Sequence, residues 1–257
     1  MRTPYDKGVA EFESLLHPEW YARQGFILVT QDVRGCFAPD GAFEPLAHGF
    51  DDGVDTIEQC AALAKSNGAV GMHGFSYSGT TQLLPATRGP QALKAIAPAF
   101  TNGGVYEDWC YKNGAFQQCL SQVWAAGLAI GEAFRCGEPA DWRPALKAFD
   151  GLPGEYGHLP LTDHPSLSRD FVPLYYEWLE HSTFDDYWKR WHLGERCADI
   201  TIPALHLVGW YDLFIEGTIC NYQGLVTMGS SALARGNQKL AIGPWHHRHP
   251  ANLEPAP

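Results

Sequence analysis

The sequence predicts an α/β protein with a mostly parallel sheet, because segments that favour strands alternate with segments that favour helices. Residues 24–32 hold a continuous apolar run, as in a strand buried on both faces. Residues 51–65 place apolar side chains at a helical spacing and begin with acidic residues. Residues 69–74 and 93–97 favour two short strands, with a helix between them over 80–87. We therefore expect a twisted parallel sheet with helices on both faces.

The composition is that of a globular protein and excludes several classes of partner. The chain has 257 residues, of which 45% are hydrophobic and 18% charged, enough for one large domain or one domain with an insertion. Its 29 acidic residues outnumber 18 basic ones and no basic run occurs, so no nucleic-acid partner is expected. No apolar stretch approaches the roughly 20 residues that cross a bilayer, so no membrane partner is expected either.

The seven cysteines are scattered along the chain, without a Cys-x-x-Cys pair that would indicate zinc or a redox couple. Their odd number also argues against a complete disulfide framework. We expect mostly buried thiols in a reducing compartment, and hence a cytoplasmic protein.

A change of pattern divides the chain into three parts. Between residues 99 and 200 the segments are rich in aromatic residues and only weakly periodic, with a Gly/Pro-rich stretch at 151–165. Strand patterns resume at 202–208 and 239–242. We expect residues 1–98 and 201–257 to form one α/β core, and residues 99–200 to form a helical cap inserted into it.

The strand at 69–74 leads directly into a Gly-x-Ser turn. Such a turn between a strand and a helix is the setting of a nucleophile elbow, in which a serine oxygen is lifted out of the sheet. Gly74 lies two residues before Ser76, but the position two residues after it is Ser78 rather than Gly. The general pattern therefore leaves two interpretations of Ser76, a nucleophile or a polar turn residue.

A serine nucleophile needs a base, and the base needs a carboxylate to orient it. Asp212 follows the strand pattern at 202–208, and His246, His247 and His249 follow the pattern at 239–242, at the sheet edge where Ser76 is expected. Spacing does not choose among the three histidines, which could instead bind a metal, although no carboxylate lies at ligand spacing. Rival acids in or beside the insertion are expected to be solvated helix charges, namely Asp185, Asp186 and Asp199.

The remaining histidines are expected to be structural. His206 lies within a strand pattern and is expected to be a core histidine with its hydrogen bonds satisfied. The others are expected in loops or in the insertion, without a carboxylate partner: His17, His48, His73, His158, His164, His181 and His192.

Five motifs occur in a fixed order along the chain. They are Arg2-Thr3-Pro4-Tyr5-Asp6-Lys7, Gln31-Asp32-Val33-Arg34-Gly35 with Asp40-Gly41-Ala42-Phe43, Gly74-Phe75-Ser76-Tyr77-Ser78-Gly79, Gly209-Trp210-Tyr211-Asp212 and Gly243-Pro244-Trp245-His246-His247. Together they resemble the cocaine esterase and X-Pro dipeptidyl-peptidase family, the CocE/NonD α/β-hydrolases. The elbow of that family is Gly-x-Ser-Tyr-x-Gly, which the segment around Ser76 matches.

The resemblance implies a role for each motif. It makes Ser76 the nucleophile, Asp212 the acid and His247 the base of a serine hydrolase that passes through an acyl-enzyme without a cofactor. It also makes the Tyr5 hydroxyl and the Tyr77 backbone N–H the donors to the oxyanion. The implied substrate is a small ester, an amide or a short peptide.

The resemblance gives a mixed indication of which residues contact the substrate. The resemblance extends to the α-amino ester hydrolases, whose first acidic segment is similar to residues 107–109 with 113–116. Their second acidic segment is absent, because Asp212 is followed by apolar residues, as in the cocaine esterases. The predicted substrate contacts are Asp108, Trp109, Phe116 and Trp210.

The resemblance covers only the middle of a family member. Family members have strands before the Pro-Tyr-Asp segment and a β-sandwich domain after the histidine, so we expect a fragment or a truncated product. Alternatives to an esterase stay open: an X-Pro dipeptidyl-peptidase, an α-amino ester hydrolase, or an inactive remnant that only binds ligands.

Overall fold

Strands and helices alternate along the chain in the residues that the computed structural model describes, which are 1–8, 17–36, 43–136, 142–170 and 172–247. The strands are β1 (Arg2–Thr3), β2 (Gln31–Asp32), β3 (Val70–Phe75), β4 (Leu93–Ala99), β5 (Tyr111–Lys112), β6 (Ala115–Phe116), β7 (Ala204–Tyr211) and β8 (Gln238–His246). The α-helices are α1 (Pro18–Arg23), α2 (Asp51–Ala61), α3 (Tyr77–Ala86), α4 (Gln118–Cys136), α5 (Trp142–Glu155), α6 (Pro173–Glu180), α7 (Asp186–Lys189), α8 (Ile215–Met228) and α9 (Ala232–Gly236). Val105–Cys110 forms a π-helical turn, and Leu161–Asp163 and Gly194–Asp199 form 3-10 helices.

The main sheet has four parallel strands in the order β3-β4-β7-β8. Two small pairs accompany it, the parallel pair β1–β2 and the antiparallel pair β5–β6. The prediction of a mostly parallel sheet is confirmed, and four of the expected strands correspond to β3, β4, β7 and β8. Because the four strands are parallel, their carboxyl ends lie at one edge of the sheet.

The expected strand over residues 24–32 is largely wrong. Only Gln31–Asp32 pairs with a neighbouring strand, Arg2–Thr3, and Phe26 and Ile27 are 64% and 51% exposed. Because β1 is two residues long, residues 26–28 have no strand beside them among the described residues. An apolar run alone does not specify a strand when the pairing partner is missing.

Helices cover one face of the main sheet more than the other, so the expectation of helices on both faces is only partly met. Ile96 and Ala204 point to the covered face, where α3 and α8 pack. Ala95 and Leu205, which alternate with them, are exposed. The strand order runs in one direction from β3 to β8, so the right-handed crossovers through α3 and α8 place both helices on the same side.

The region between β4 and β7 is mainly helical, as its sequence predicts. It contains α4 to α7, the hairpin β5–β6 and the π-helical turn. Its core is aromatic, with Trp178, Trp188 and Tyr175 almost completely buried. The Gly/Pro-rich stretch was expected to interrupt the helices over 151–165, but α5 continues to Glu155 with Pro153 inside it.

The exposure of the cysteines and the length of the helices bear on two further expectations. Cys36, Cys110 and Cys197 are buried, whereas Cys119 and Cys220 are exposed, so the expectation of mostly buried thiols is met only in part. No helix within the described ranges is both long and apolar enough to cross a bilayer.

His206 of β7 is a buried core histidine, as expected. Its Nε2 lies 3.2 Å from Oε1 of Gln238 on the neighbouring strand β8, and the residue is 1% exposed. Burial lowers the pKa of His206 to about 4. The neutral ring is therefore the form that the folded protein accommodates.

We predict that this ring makes the fold sensitive to acid. An unfolded histidine takes up a proton near pH 6.5, whereas His206 in the fold resists protonation until about pH 4. Stability therefore falls as the pH drops through this window, by about 3 kcal/mol from this residue at pH 4. In His206→Gln, which has no titratable ring, the free energy of unfolding from urea titrations should fall less between pH 7.5 and pH 4.

The matched control is the same substitution at the exposed His17, which should leave the wild-type dependence on pH intact. Equal pH dependence in the wild type and His206→Gln would contradict the assignment.

Candidate active site

Ser76 occupies a strained turn between β3 and α3. Its backbone angles are φ 57° and ψ −121°, a left-handed region that non-glycine residues rarely adopt. A Cβ at Gly74 would lie 2.6 Å from the Ser78 Cβ, and a Cβ at Gly79 would lie 2.6 Å from the Thr101 Cβ. The turn therefore requires glycine at 74 and 79, and it admits the small Ser78 between them.

Buried hydrogen bonds fix this turn to the neighbouring strand. The Ser76 N–H donates to the Ala99 carbonyl oxygen over 2.8 Å. The Gln82 side chain donates to the Ser78 carbonyl over 2.9 Å and accepts from the Ala97 N–H over 3.0 Å. Sequence reasoning missed Gln82, although a polar residue within a buried helix that follows Gly-x-Ser was a usable signal.

The structure brings the side chains of Ser76, His247 and Asp212 together. His247 Nε2 lies 3.0 Å from Ser76 Oγ, and His247 Nδ1 lies 2.7 Å from Asp212 Oδ2. The rings of Phe75 and Phe214 lie against the imidazole, with centroids 4.8 and 5.2 Å from its own. The imidazole is thereby bonded at both nitrogens and held between apolar rings.

A local hydrogen bond orients the Asp212 carboxylate independently of its contact with His247. It follows the end of β7, its carboxylate is fully buried, and Oδ1 accepts the Phe214 N–H over 2.7 Å. This bond leaves Oδ2 directed at His247. The orientation of the carboxylate therefore depends on the local turn rather than on a distant partner.

The rival acids have other contacts. Asp185 Oδ2 lies 2.6 Å from His181 Nδ1, and that hydrogen bond lowers the pKa of Asp185. Asp185 also accepts the Tyr187 N–H at the start of α7, while Asp186 pairs with Lys189. Asp199 is exposed. Asp186 and Asp199 are exposed charges, as expected, whereas Asp185 is a half-buried helix cap bonded to His181.

Two expectations about the other histidines need correction. His73 was expected in a loop, but it lies in β3, where it stacks on Tyr21 at 4.7 Å and burial lowers its pKa to about 4. His181 and His164 do have carboxylate neighbours, Asp185 and Glu155, which lie four and nine residues away and were overlooked.

The proposed histidine metal cluster finds no counterpart in the described ranges. Those residues contain no group of three or more His, Cys, Asp or Glu side chains that could hold a metal ion. His246 is the last residue of β8. His249 lies outside the described residues, as does the 40–42 segment of the second motif.

Tyr5 lies next to Tyr77, the residue that follows Ser76 in the chain. Their rings meet edge-on with centroids 6.3 Å apart. The Tyr77 hydroxyl accepts the Leu46 N–H over 3.0 Å, and burial raises the pKa of Tyr77 above its usual range. Trp124 donates its indole N–H to the Tyr5 oxygen over 2.8 Å.

The segment that carries Tyr5 is attached to Asp32. Both oxygens of this buried carboxylate accept hydrogen bonds from Lys7, one from the backbone N–H and one from Nζ, each over 2.6 Å. The hydrogen bond with Asp32 raises the pKa of Lys7. The first two motifs are therefore joined by a direct contact between Lys7 and Asp32.

The predicted substrate contacts occupy different surroundings. Trp109 is buried between Trp124 and Phe214, with ring centroids 4.5 and 5.8 Å away. Phe116 packs on Tyr111 and Tyr175 of the helical region, and Trp210 is 60% exposed. Trp109 and His247 both contact the ring of Phe214.

Asp108 lines a cavity of about 360 Å³. Its Oδ2 accepts the Gly103 N–H over 3.1 Å, and burial raises the pKa of its carboxyl to about 6. The same cavity is lined by Glu107, Glu216 and Lys112, the last two of which form an ion pair at 3.0 Å. Three acidic groups against one basic group make this cavity electronegative at neutral pH.

Comparison with known proteins relates this sequence to one family. The family model described as X-Pro dipeptidyl-peptidase (S15 family) matches residues 1–249. The cocaine esterase of Rhodococcus sp. (strain MB1 Bresler) is 31% identical in an alignment 255 residues long that covers 96% of this chain and 43% of that protein. The chain thus spans less than half the length of this relative.

Solved structures agree on the fold. A CocE/NonD family hydrolase from Staphylococcus aureus is 20% identical with a TM-score of 0.66, over 96% of this chain and 40% of its own. An α-amino acid ester hydrolase is 24% identical with a TM-score of 0.65, over 96% of this chain and 43% of its own. The predicted α/β-hydrolase fold is confirmed by these likenesses. Because the family model spans nearly the whole chain, including the turn at Ser76, the chain belongs to the X-Pro dipeptidyl-peptidase family, S15.

Proposed function

We propose that this chain carries the catalytic centre of a serine hydrolase that cleaves an ester or amide through an acyl-enzyme. One observation carries the proposal. A continuous path of contacts runs from Ser76 Oγ to His247 Nε2 over 3.0 Å and from His247 Nδ1 to Asp212 Oδ2 over 2.7 Å. These distances lie within the range for proton transfer between a nucleophile and its base.

In the proposed reaction His247 takes the Ser76 proton as the oxygen attacks the substrate carbonyl. The C–O bond forms, the carbonyl electrons move onto oxygen, and the tetrahedral intermediate collapses as His247 protonates the leaving alcohol or amine. Water then repeats the sequence on the acyl-enzyme and releases the acid. Asp212 stabilises the imidazolium, a role supported by its burial and by its second bond to the Phe214 N–H.

The oxyanion is proposed to be held by the Tyr77 N–H and the Tyr5 hydroxyl. Tyr77 is the first residue of α3, so its N–H lies at the positive end of a helix dipole. Tyr5 lies edge-on to Tyr77, and a phenol stays protonated near neutral pH. Both donors are supported by contacts that exist before substrate binds.

We propose residues 99–200 as a cap over this centre, with residues 1–98 and 201–257 as the core. Support comes from Trp109 and Trp124, which approach Phe214 and Tyr5 of the core from the helical region. Apolar rings on this side suit the acyl group of a small ester. An esterase is therefore the first candidate activity. The cytoplasmic location expected from the cysteine content remains a prediction.

A second candidate is hydrolysis of α-amino acyl esters. The observation that favours it is the electronegative cavity beside Asp108, which would attract a substrate ammonium group. A buried carboxyl with a pKa of about 6 is ionised at neutral pH and uncharged in mild acid. Such a site would prefer amino esters only above about pH 6.

Covalent labelling tests the nucleophile. A fluorophosphonate probe should label the wild type on Ser76, and Ser76→Ala should abolish labelling, because phosphonylation needs an activated hydroxyl. Labelling is measured by in-gel fluorescence, with folding checked by circular dichroism. The loop variant Ser66→Ala should label like the wild type. A well-folded wild type that takes up no probe would support the inactive remnant instead.

Substitution of the acid tests which carboxylate orients the base. Asp212→Asn should lower kcat for p-nitrophenyl acetate by about 10⁴-fold, because an amide cannot stabilise the imidazolium and favours the wrong tautomer. Asp199→Asn, at the exposed rival acid, should retain wild-type kcat. The assignment fails if the two variants lose activity equally, or if Asp212→Asn keeps it.

A substrate panel separates the candidates. If Asp108 binds an ammonium group, Asp108→Asn should lower kcat/KM for an α-amino acyl ester by about 10-fold while sparing the matched ester without the amine. The wild-type preference should vanish below about pH 6, where Asp108 is protonated, and the exposed variant Asp186→Asn should keep it. Equal losses on both esters would exclude this role, and faster cleavage of an X-Pro-anilide than of either ester would favour a dipeptidyl-peptidase.

A further inference from the structure

The indole of Trp124 makes a polar contact that the proposed reaction has not used. We propose that Trp124 is a positioning residue, whose N–H directs the Tyr5 hydroxyl toward the oxyanion. The inference rests on the proposed function, since it concerns the geometry of one oxyanion donor. It starts from a single hydrogen bond, from Trp124 Nε1 to Tyr5 Oη over 2.8 Å.

The direction of this bond is fixed by chemistry. An indole nitrogen can only donate, whereas a phenolic oxygen can both donate and accept. Trp124 therefore fills an acceptor position on Tyr5 Oη, and the phenol's own proton must point away from the indole. A phenol that accepts a hydrogen bond also becomes a better donor, because successive hydrogen bonds polarise one another.

The position of the indole is fixed by its neighbours. Trp124 lies in α4, with its ring stacked between Tyr77 at 6.1 Å and Trp178 at 5.7 Å. Trp109 meets it edge-on at 4.5 Å. Contacts on three sides leave the N–H little freedom, so the bond to Tyr5 is aimed before substrate arrives.

The other end of the contact is also held. The Tyr5 N–H donates to Thr3 Oγ1 over 3.2 Å, and the next turn is attached through Lys7 to Asp32. Tyr5 and Trp124 are 119 residues apart in sequence. The proposed cap therefore contributes to the oxyanion site indirectly, through a bond to a core residue, rather than only by covering the substrate.

The test is a double-mutant cycle on kcat for p-nitrophenyl acetate. Tyr5→Phe should lower kcat by about 10²–10³-fold. Trp124→Phe, which removes the N–H, should lower kcat by about 3- to 10-fold with little change in KM. In the double variant kcat should equal that of Tyr5→Phe, because the indole acts only through the tyrosine.

The matched control is Trp188→Phe in the same helical region. Its indole N–H also bonds an oxygen, the His181 carbonyl, over 2.7 Å, but it does not touch Tyr5. This variant should lose stability while keeping wild-type kcat. Since Trp124→Phe also removes packing, β-(3-benzothienyl)alanine at position 124 gives a second variant that keeps the ring shape and replaces only the N–H.

The outcomes separate two failures. A wild type without Ser76-dependent hydrolysis would sink the proposed function itself. In an active enzyme, independent effects of Trp124→Phe and Tyr5→Phe, or full kcat with the benzothienyl residue, would overturn the role of Trp124 alone. NMR of the folded enzyme tests the contact independently of the kinetics. The Trp124 indole N–H resonance should move upfield in Tyr5→Phe, because its hydrogen bond is lost. An unchanged resonance would show that the contact does not exist.

Discussion

The left-handed backbone at Ser76 is the constraint on which the candidate site depends. A serine in this conformation costs of order 1–3 kcal/mol, which surrounding contacts must offset. Here the offset comes from the Ser76 N–H bond to Ala99, from the buried Gln82, and from two glycines that let the helix approach the strand. The result is a hydroxyl at the carboxyl edge of the sheet, next to the first N–H of a helix.

The parallel sheet then determines what can meet this serine. The ends of β7 and β8 lie at the same edge, and they supply Asp212 and His247 within hydrogen-bonding distance of each other. The rings of Phe75 and Phe214 give the imidazole a less polar surrounding, which strengthens its hydrogen bonds. The helical region contributes a different kind of contact, the indole of Trp124 that donates a hydrogen bond to Tyr5.

Much of this arrangement could be predicted from the sequence, because strand-turn-helix patterns and motif order are local signals. The strands that lead to Ser76, Asp212 and His247 were predicted in this way, although spacing alone could not choose among His246, His247 and His249. The strand over residues 24–32 was wrong because its pairing depends on a distant segment. Trp124 was missed for a related reason, since its partner Tyr5 lies 119 residues away and leaves no periodic pattern. Gln82 was overlooked, although its polar side chain within a buried helix was a usable signal.

The general Gly-x-Ser-x-Gly pattern also illustrates how geometry refines a motif. Ser78 departs from it, yet the close approaches fall at Gly74 and Gly79, so the departure is harmless. If Ser76 is the nucleophile, it becomes covalently acylated during turnover. Peptide mass spectrometry of protein quenched during hydrolysis of a slowly deacylating aryl ester tests this directly. We expect an acyl adduct on the peptide that contains Ser76. Turnover with the adduct on another residue, or turnover that Ser76→Ala leaves unchanged, would show that Ser76 is not the nucleophile.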